Sequence, residues 1–263
     1  MTCTRGLDRL GWDESWSDTV RTYGRCGQPA RVVSTDDEGI SAVLGADGLV
    51  RTSLGGAALA KLAEDPDQAP CPGDWVVVRQ WPDGPATVEL VLPRHNTVRS
   101  LVAGGASGPA MAANVDLVVV VLPIEQLSAA TGGPDAPRGL PPRGGDIPTV
   151  VVAAEGRSAP SGAGAPDWSG AHGVEVLRWN PKSSEGMARL RQRLHGDETA
   201  LLVGAPRLRS GLLAAMTGAI PVPQRSPPGG TDRLVVVPGG GCLIDLSRVG
   251  VVQTGRTRQD PPG

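Results

Sequence analysis

The second half of the chain carries a series of short apolar runs, and this series limits the possible folds more than any other feature. The six runs lie at residues 115–122, 147–154, 174–179, 200–204, 233–237 and 242–246. Continuous apolar runs of about four to eight residues are typical of strands that are buried on both faces. The series therefore predicts a mostly parallel sheet within an α/β domain.

The segments between these runs supply few helices that could cover such a sheet. A helix is predicted over Ser184–His195, and a shorter one over Gly211–Gly218. The segments 129–146 and 156–171 are dense in proline and glycine, which predicts irregular loops. With 37 glycines and 25 prolines in 263 residues, we expect ordered modules joined by loose segments.

The first 93 residues follow a different pattern. Apolar residues at helical spacing predict an amphipathic helix over Leu7–Gly24. Residues 29–93 then read as about five short strands separated by turns, with Asp47-Gly48 as a hairpin signal and one helical piece at 57–64. So many strands in so short a segment predict a small barrel of the OB type.

Charge and composition argue against several classes of protein. The net charge of −2 gives no overall attraction to DNA or to a membrane surface. No apolar stretch reaches the roughly 18 residues of a membrane-spanning helix, and no secretion signal is recognisable. The four cysteines are scattered without a CxxC or Cys/His cluster, which favours neither a metal site nor a disulfide framework. The simplest expectation is a cytoplasmic protein without a bound metal.

One segment late in the chain has the outline of a phosphate-binding loop without its side chains. A P-loop reads GxxxxGK[ST], in which the lysine contacts phosphates and the hydroxyl contacts magnesium. In the register that begins at Gly204, Arg209 replaces the second glycine, Ser210 the lysine and Gly211 the hydroxyl residue. Because a helix N-terminus favours anions, Arg207 and Arg209 either bind a phosphate without magnesium or are solvated loop residues.

Five short motifs occur along the chain in an order that is shared with a known family. They are LGWDESW at 10–16, PGDWV at 72–76, LPR at 92–94 followed by Arg99, AANVD at 112–116 and PGGGCLID at 238–245. Through them the chain resembles the ribosome-small-subunit-dependent GTPase A family (RsgA, also called YjeQ), whose members are circularly permuted GTPases. The resemblance implies an OB-like β barrel followed by an α/β domain of the circularly permuted P-loop GTPase type.

The same resemblance implies the domain boundaries. A helical N-terminal extension is expected over 1–28, the barrel over 29–94, the GTPase-like domain over 112–250 and a tail over 251–263. The zinc-binding C-terminal domain of the family is expected to have no counterpart in this chain.

The motifs that hold nucleotide in this family are altered here. The guanine-reading NKxD, a later Ser-Ala element, the threonine-rich switch and DTPG are replaced by AAEG at 153–156, NP at 180–181, RSPPGGT at 225–231 and DLSR at 245–248. The resemblance implies that Asp245 is the remnant of the carboxylate on the magnesium side. The alternative is an ordinary residue at a strand end.

These losses bear on affinity for GTP. Each lost charge-assisted phosphate contact costs about 1.5–3 kcal/mol, and about 1.4 kcal/mol is a tenfold change in affinity. Losing several of them predicts a pseudo-GTPase: a noncatalytic relative of the small ribosomal subunit maturation GTPases, with no GTP or magnesium cofactor expected. The degenerate nucleotide positions are Gly204, Arg207, Arg209, Ser210, Gly211 and Asp245.

The family resemblance implies the 30S ribosomal subunit or its rRNA as the partner. Arg94, His95 and Arg99, at the end of the barrel, are either RNA contacts or solvated linker residues. Two other hypotheses stay open. The chain is an active GTPase that binds GTP and magnesium and assists 30S biogenesis, or it is a decayed paralogue without retained activity.

Overall fold

The computed structural model describes residues 6–23, 27–36, 39, 41–82, 84–101, 107–129, 147–156, 174–181, 186–194, 196–218, 232–246 and 252–256. The strands are β1 (Gln28–Thr35), β2 (Ser41–Gly45), β3 (Gly48–Leu54), β4 (Trp75–Gln80), β5 (Ala86–Val91), β6 (Asn96–Leu101), β7 (Ser107–Ala113), β8 (Leu117–Pro123), β9 (Thr149–Ala154), β10 (Glu175–Trp179), β11 (Thr199–Gly204), β12 (Arg233–Val236), β13 (Cys242–Asp245) and β14 (Val252–Arg256). The helices are α1 (Glu14–Tyr23), α2 (Gly56–Glu64), α3 (Ile124–Ala129), α4 (Met187–Arg193) and α5 (Pro206–Thr217).

Strands β1 to β5 form a closed barrel in the order β1-β2-β3-β5-β4. Every pairing is antiparallel except that of β3 with β5, and α2 connects β3 to β4. This is the OB arrangement, and the predicted barrel is confirmed. The predicted hairpin lies one residue earlier than expected, because Gly48 (φ +116°) already pairs with Gly45 as the first residue of β3.

The six apolar runs form one sheet in the order β10-β9-β8-β11-β13-β12, which confirms the predicted α/β domain. Its strands are parallel except for β12, which is antiparallel to β13. Four consecutive valines of β8, residues 118–121, are fully buried. Both faces of this central strand are therefore covered, which explains why its sequence does not alternate between apolar and polar residues.

Two helices lie where the sequence places them, but one of them begins earlier. Helix α4 falls within the predicted Ser184–His195, of which 186–194 are described. Helix α5 begins at Pro206 rather than at Gly211, because proline suits the first turn, where its missing N–H is not needed. The predicted loops 129–146 and 156–171 lie outside the described residues except for Ala129 and Gly156, as does the switch segment 225–231.

A third sheet, in the order β14-β6-β7, joins the barrel to the α/β domain. Both of its pairings are antiparallel. The sequence predicts neither this sheet nor any strand in the tail 251–263, because β7 and β14 are rich in small and polar residues. Residues 252–256 nevertheless pair with β6.

The N-terminal extension is a short 3-10 turn, Asp8–Leu10, followed by α1, rather than one helix over Leu7–Gly24. Gly11 adopts the left-handed conformation (φ +86°) and ends the turn. Leu10 and Trp16 are buried in a core that also includes Trp75 of the barrel and Val118 of the α/β sheet. The extension therefore packs where the two domains meet. Within the described part of the chain, every helix is too short or too polar to span a membrane.

Candidate functional site

The end of β11 leads directly into α5, with no open loop between them. Gly204 has φ +134°, and a Cβ at this position would collide with the main-chain carbonyl oxygen of Val121 on β8. This glycine is therefore required by the close approach of two strands. Only Ala205 separates it from the first helical residue. The predicted loop residues Arg207, Arg209, Ser210 and Gly211 all lie inside the helix.

Arg209 lies inside the protein, so the expectation that it is a solvated loop residue is wrong. Its exposure is 4%, and its Nη1 lies 3.0 Å from Oδ1 of Asp245 at the end of β13. These two atoms face each other without hydrogen-bond geometry. Arg207, two residues earlier, is exposed. Asp245 is the last residue of β13, and it is the anionic partner of this buried guanidinium.

Burial raises the pKa of Asp245, while the positive charge of Arg209 acts in the opposite direction. The carboxyl side chain is only 14% exposed. Two opposite charges thus share a poorly solvated position between α5 and β13. The contact joins α5, which contains the predicted phosphate-loop residues 207–211, to β13, which ends at the predicted magnesium-side residue.

The remaining two loop positions have simple packing explanations. Ser210 points to solvent. A Cβ on Gly211 would lie 3.2 Å from Cη2 of Trp179, so a larger residue would press against this indole. The ring of Trp179 is buried at the end of β10. The structure brings Arg209 and Asp245 together, and leaves Arg207 and Ser210 on the outer side of the helix.

The residues predicted to replace the base-reading motif, 153–156, lie at the end of β9. Ala153 and Ala154 are buried, and Glu155 forms an ion pair with Arg178 of β10 at 3.2 Å. The main-chain N–H of Glu155 donates to the carbonyl of Trp179. A Cβ on Gly156 would lie 2.7 Å from Oε1 of Glu125. A carboxylate from another element, α3, therefore lies beside Gly156, where the resemblance predicts that the aspartate of the motif is replaced.

Arg94, a predicted RNA contact, is buried at the junction of barrel and third sheet. Its Nε and Nη2 both donate to the carboxylate of Asp74 at 2.7 Å, and its other donors reach the carbonyls of Asp67 and Ala69. Its exposure is only 7%. The negative charge of Asp74 keeps the pKa of Arg94 raised in spite of burial. Arg94 therefore organises the junction and is not presented to a ligand.

Arg99 pairs with a second carboxylate at the same junction, that of Asp67. Its Nη1 and Nη2 donate to the two oxygens of Asp67 at 2.7 Å. These hydrogen bonds lower the pKa of Asp67. The side chain of Arg99 is 23% exposed. Of the three predicted RNA contacts, His95 is the exposed one, and its ring stacks on Trp16 with centroids 4.3 Å apart.

A buried arginine that the motifs do not indicate connects three parts of the molecule. Arg31 of β1 donates to the carbonyls of Leu10, Gly73 and Asn114, and its guanidinium lies 5.0 Å from the ring centroid of Trp75. These carbonyls belong to the N-terminal extension, the barrel and the start of the α/β domain. Burial lowers the pKa of Arg31, although nearby carboxylates act against this.

Comparison with solved structures defines the class of protein. No family model matches the chain. The structure resembles YjeQ from Thermotoga maritima with a TM-score of 0.51, at 18% identity over 83% of this chain and 73% of that one. It resembles YloQ, a circularly permuted GTPase, with a TM-score of 0.51, at 15% identity over 82% of this chain and 69% of that one. The fold is therefore that of a circularly permuted GTPase, with an OB-like barrel before the α/β domain.

Sequence relatives define the family within this class. The chain is 31% identical to the small ribosomal subunit biogenesis GTPase RsgA of Streptomyces coelicolor, over 95% of this chain and 71% of that protein. It is 29% identical to the RsgA of Streptomyces avermitilis, over 89% of this chain and 66% of that protein. The chain belongs to the RsgA family of small ribosomal subunit biogenesis GTPases.

Proposed function

We propose that this protein is a noncatalytic member of its family that acts at the small ribosomal subunit without hydrolysing GTP. The observation that carries the proposal is the buried contact between Arg209 and Asp245. Phosphoryl transfer depends on positioning and on positive charge, supplied by the loop lysine, magnesium and backbone donors. In this protein an internal arginine takes up the charge of the carboxylate.

The charges around this contact do not favour a magnesium ion. A carboxylate that already faces a guanidinium at 3.0 Å offers little net negative charge to a metal. The chain has only two lysines, Lys61 and Lys182, and neither lies in the segment from β11 to α5. The hydroxyl position is Gly211, where a larger side chain would meet Trp179.

The base-reading position supports the same proposal. The lysine and the aspartate of the motif are replaced by Ala154 and Gly156, and Glu155 between them is paired with Arg178. Specific recognition of guanine needs a positioned carboxylate, because buried polar groups without partners are costly. Glu125 favours the second candidate, a protein that still binds guanine nucleotide, because its carboxylate stands beside Gly156.

A nucleotide-binding experiment separates these two functions. Purified protein is titrated against a fluorescent GTP analogue, and phosphate release is followed with and without 30S subunits, with S. coelicolor RsgA as the positive control. We expect no saturable binding up to high micromolar protein and no stimulated hydrolysis. Saturable binding that is lost in Glu125→Gln but kept in Glu175→Gln, an exposed control on β10, would establish the second candidate, a protein that binds guanine nucleotide.

The proposed partner is the small ribosomal subunit or its rRNA, in the cytoplasm. The relatives are named for biogenesis of this subunit, which supports the partner class. We expect the protein to sediment with 30S subunits in the absence of nucleotide. A protein that neither sediments with 30S nor melts cooperatively would instead fit a decayed paralogue.

A further inference from the structure

The barrel is acidic, and its basic side chains already have partners. Residues 29–94 include ten acidic and five basic residues. All five basic side chains contact groups within the protein. Arg31 donates to main-chain carbonyls, Arg51 pairs with Asp36, and Arg94 pairs with Asp74. Lys61 lies over the ring of Tyr23, and Arg79 lies over the ring of Trp81. Binding of RNA relies on arginine and lysine side chains that neutralise phosphates. The described surface of the barrel therefore offers few basic side chains to a phosphate backbone, chiefly the exposed Arg51 and Arg79.

The same barrel has a wide apolar cleft at the end that carries the β2–β3 turn. The cleft has a volume of about 630 Å³, within the range of about 300–1,000 Å³ typical of ligand pockets. Aliphatic and glycine residues form most of its lining, including Pro29, Val43, Val50 and Val78. The side chain of Val50 is 38% exposed. Two exposed charged residues also line the cleft, Asp47 with a carboxylate and Arg79 with a guanidinium that lies over Trp81.

An exposed tryptophan lies beside Arg79, one of the residues that line this cleft. The guanidinium of Arg79, a lining residue, lies 3.9 Å from the ring centroid of Trp81. The indole N–H of Trp81 donates to Oγ1 of Thr87, whose hydroxyl in turn donates to Glu89. The ring is nevertheless 39% exposed. An exposed tryptophan next to an apolar cleft is the type of residue that contributes most of the binding energy at protein interfaces.

We propose that this cleft, together with Trp81 beside its lining residue Arg79, binds a lysine- or arginine-bearing segment of a partner protein that inserts an apolar side chain. The acidic barrel attracts the cationic segment over a distance of about 8–10 Å at physiological salt. Asp47 provides a carboxylate at the cleft itself, and Trp81 with Val50 provides the apolar contact. The inference deepens the proposed function, on which it rests for the ribosomal identity of the partner. An unpaired RNA base stacked on Trp81 is the competing occupant.

Reversing a charge at the cleft distinguishes binding of a basic protein segment from binding of RNA. The probes are a fluorescein-labelled peptide of alternating lysine and leucine and a labelled single-stranded RNA of mixed sequence, both followed by anisotropy. Asp47→Lys is expected to weaken peptide binding roughly threefold to tenfold. Its matched control, Glu64→Lys, reverses an exposed charge on α2 outside the cleft and is expected to have a smaller effect. Tighter RNA binding by Asp47→Lys, with no cleft-dependent peptide binding, overturns the inference.

A second pair of variants tests the apolar contact. Trp81→Ala is expected to weaken peptide binding about tenfold or more, as for an interface hot spot. Leu59→Ala is the control, because Leu59 is 51% exposed on α2 and does not line the cleft. Equal peptide affinity of both variants and the parent protein overturns the inference. Melting temperatures are measured alongside, since an exposed side chain should change them little.

Sedimentation with purified 30S subunits distinguishes failure of this inference from failure of the proposed function. If the parent protein and Trp81→Ala sediment equally, the ribosomal role stands and the cleft inference is wrong. If Trp81→Ala and Asp47→Lys lose sedimentation while both controls keep it, both are supported. If the parent protein does not sediment but the peptide results hold, the cleft binds a basic segment and the ribosomal role is wrong.

Discussion

The guanidinium of Arg209 faces the carboxylate of Asp245 at 3.0 Å, in a position where both side chains are largely withdrawn from water. Removing one member of such a pair leaves a buried charge without compensation, whereas removing both is often nearly neutral. The two charges therefore compensate each other within the chain, although the facing atoms lack hydrogen-bond geometry.

Stability measurements should show strong coupling between these two residues. Arg209→Met is expected to lower the free energy of unfolding at pH 7 by about 3 kcal/mol, because Asp245 loses its counter-charge. The double variant Arg209→Met/Asp245→Asn is expected to lie within about 1 kcal/mol of the parent. Urea denaturation provides the measurement. Additive single effects would show that the contact is not coupled energetically.

The effect of Arg209→Met should depend on pH. Burial already raises the pKa of Asp245, and losing the opposing charge of Arg209 should raise it further. When the pKa of a carboxyl group is higher in the folded state than in the unfolded state, the protonated group stabilises the fold. This contribution is fully present below the unfolded-state pKa of about 3.9, and it is lost as the pH rises through the folded-state pKa. The variant should therefore be only slightly destabilised near pH 4 and increasingly destabilised towards pH 7. Arg207→Met, which changes an exposed arginine of the same helix, serves as the control.

Gly204 should be intolerant of any side chain. Gly204→Ala places a methyl group against the carbonyl of Val121 in addition to a strained φ of +134°. Gly218→Ala carries only the backbone cost of about 1–2 kcal/mol, because no atom lies within 4 Å of its Cβ position. Thermal unfolding should show a clearly larger loss for Gly204→Ala. Equal losses would mean that strand packing does not determine this glycine.

Arg94 should behave as a structural residue. Arg94→Met leaves Asp74, which is fully buried, without its cationic partner, and about 3 kcal/mol of stability should be lost. Arg99→Met breaks a solvent-exposed pair with Asp67, whose contribution is about 1 kcal/mol or less after screening. Urea unfolding of the two variants tests this difference. A folded, fully stable Arg94→Met protein that loses 30S binding would instead support the RNA contact.

The sequence predicts the two principal domains because their strands are distinguished by local patterns. Unbroken valine-rich runs indicate buried parallel strands, and alternating runs with turn residues indicate a barrel. The third sheet is missed because pairing of β14 with β6 depends on residues more than 150 positions apart, such as Val252 and Ser100. No local apolar pattern distinguishes β14 from a polar tail.

The candidate site is predicted only in part, for a related reason. Motif positions identify Arg209 and Asp245 individually, but not that they face each other across 36 positions of sequence. Pro206 is a local signal for the early start of α5, since proline favours the first helical turn. Arg31 carries no such signal. Its acceptor carbonyls lie 21, 42 and 83 residues away, and only the assembled fold brings them together.

Strand β14 changes how the two domains can be regarded. Strand β7 leads into the α/β sheet. After β13, the last described strand of that sheet, the chain returns as β14 and pairs with the other side of β6. The whole α/β unit is therefore inserted between two strands of one small sheet. The strands that precede and follow it, β7 and β14, both pair with β6. The α/β domain therefore has an all-β frame at both of its ends, and this shared sheet holds the two domains together alongside Arg31 and the N-terminal extension.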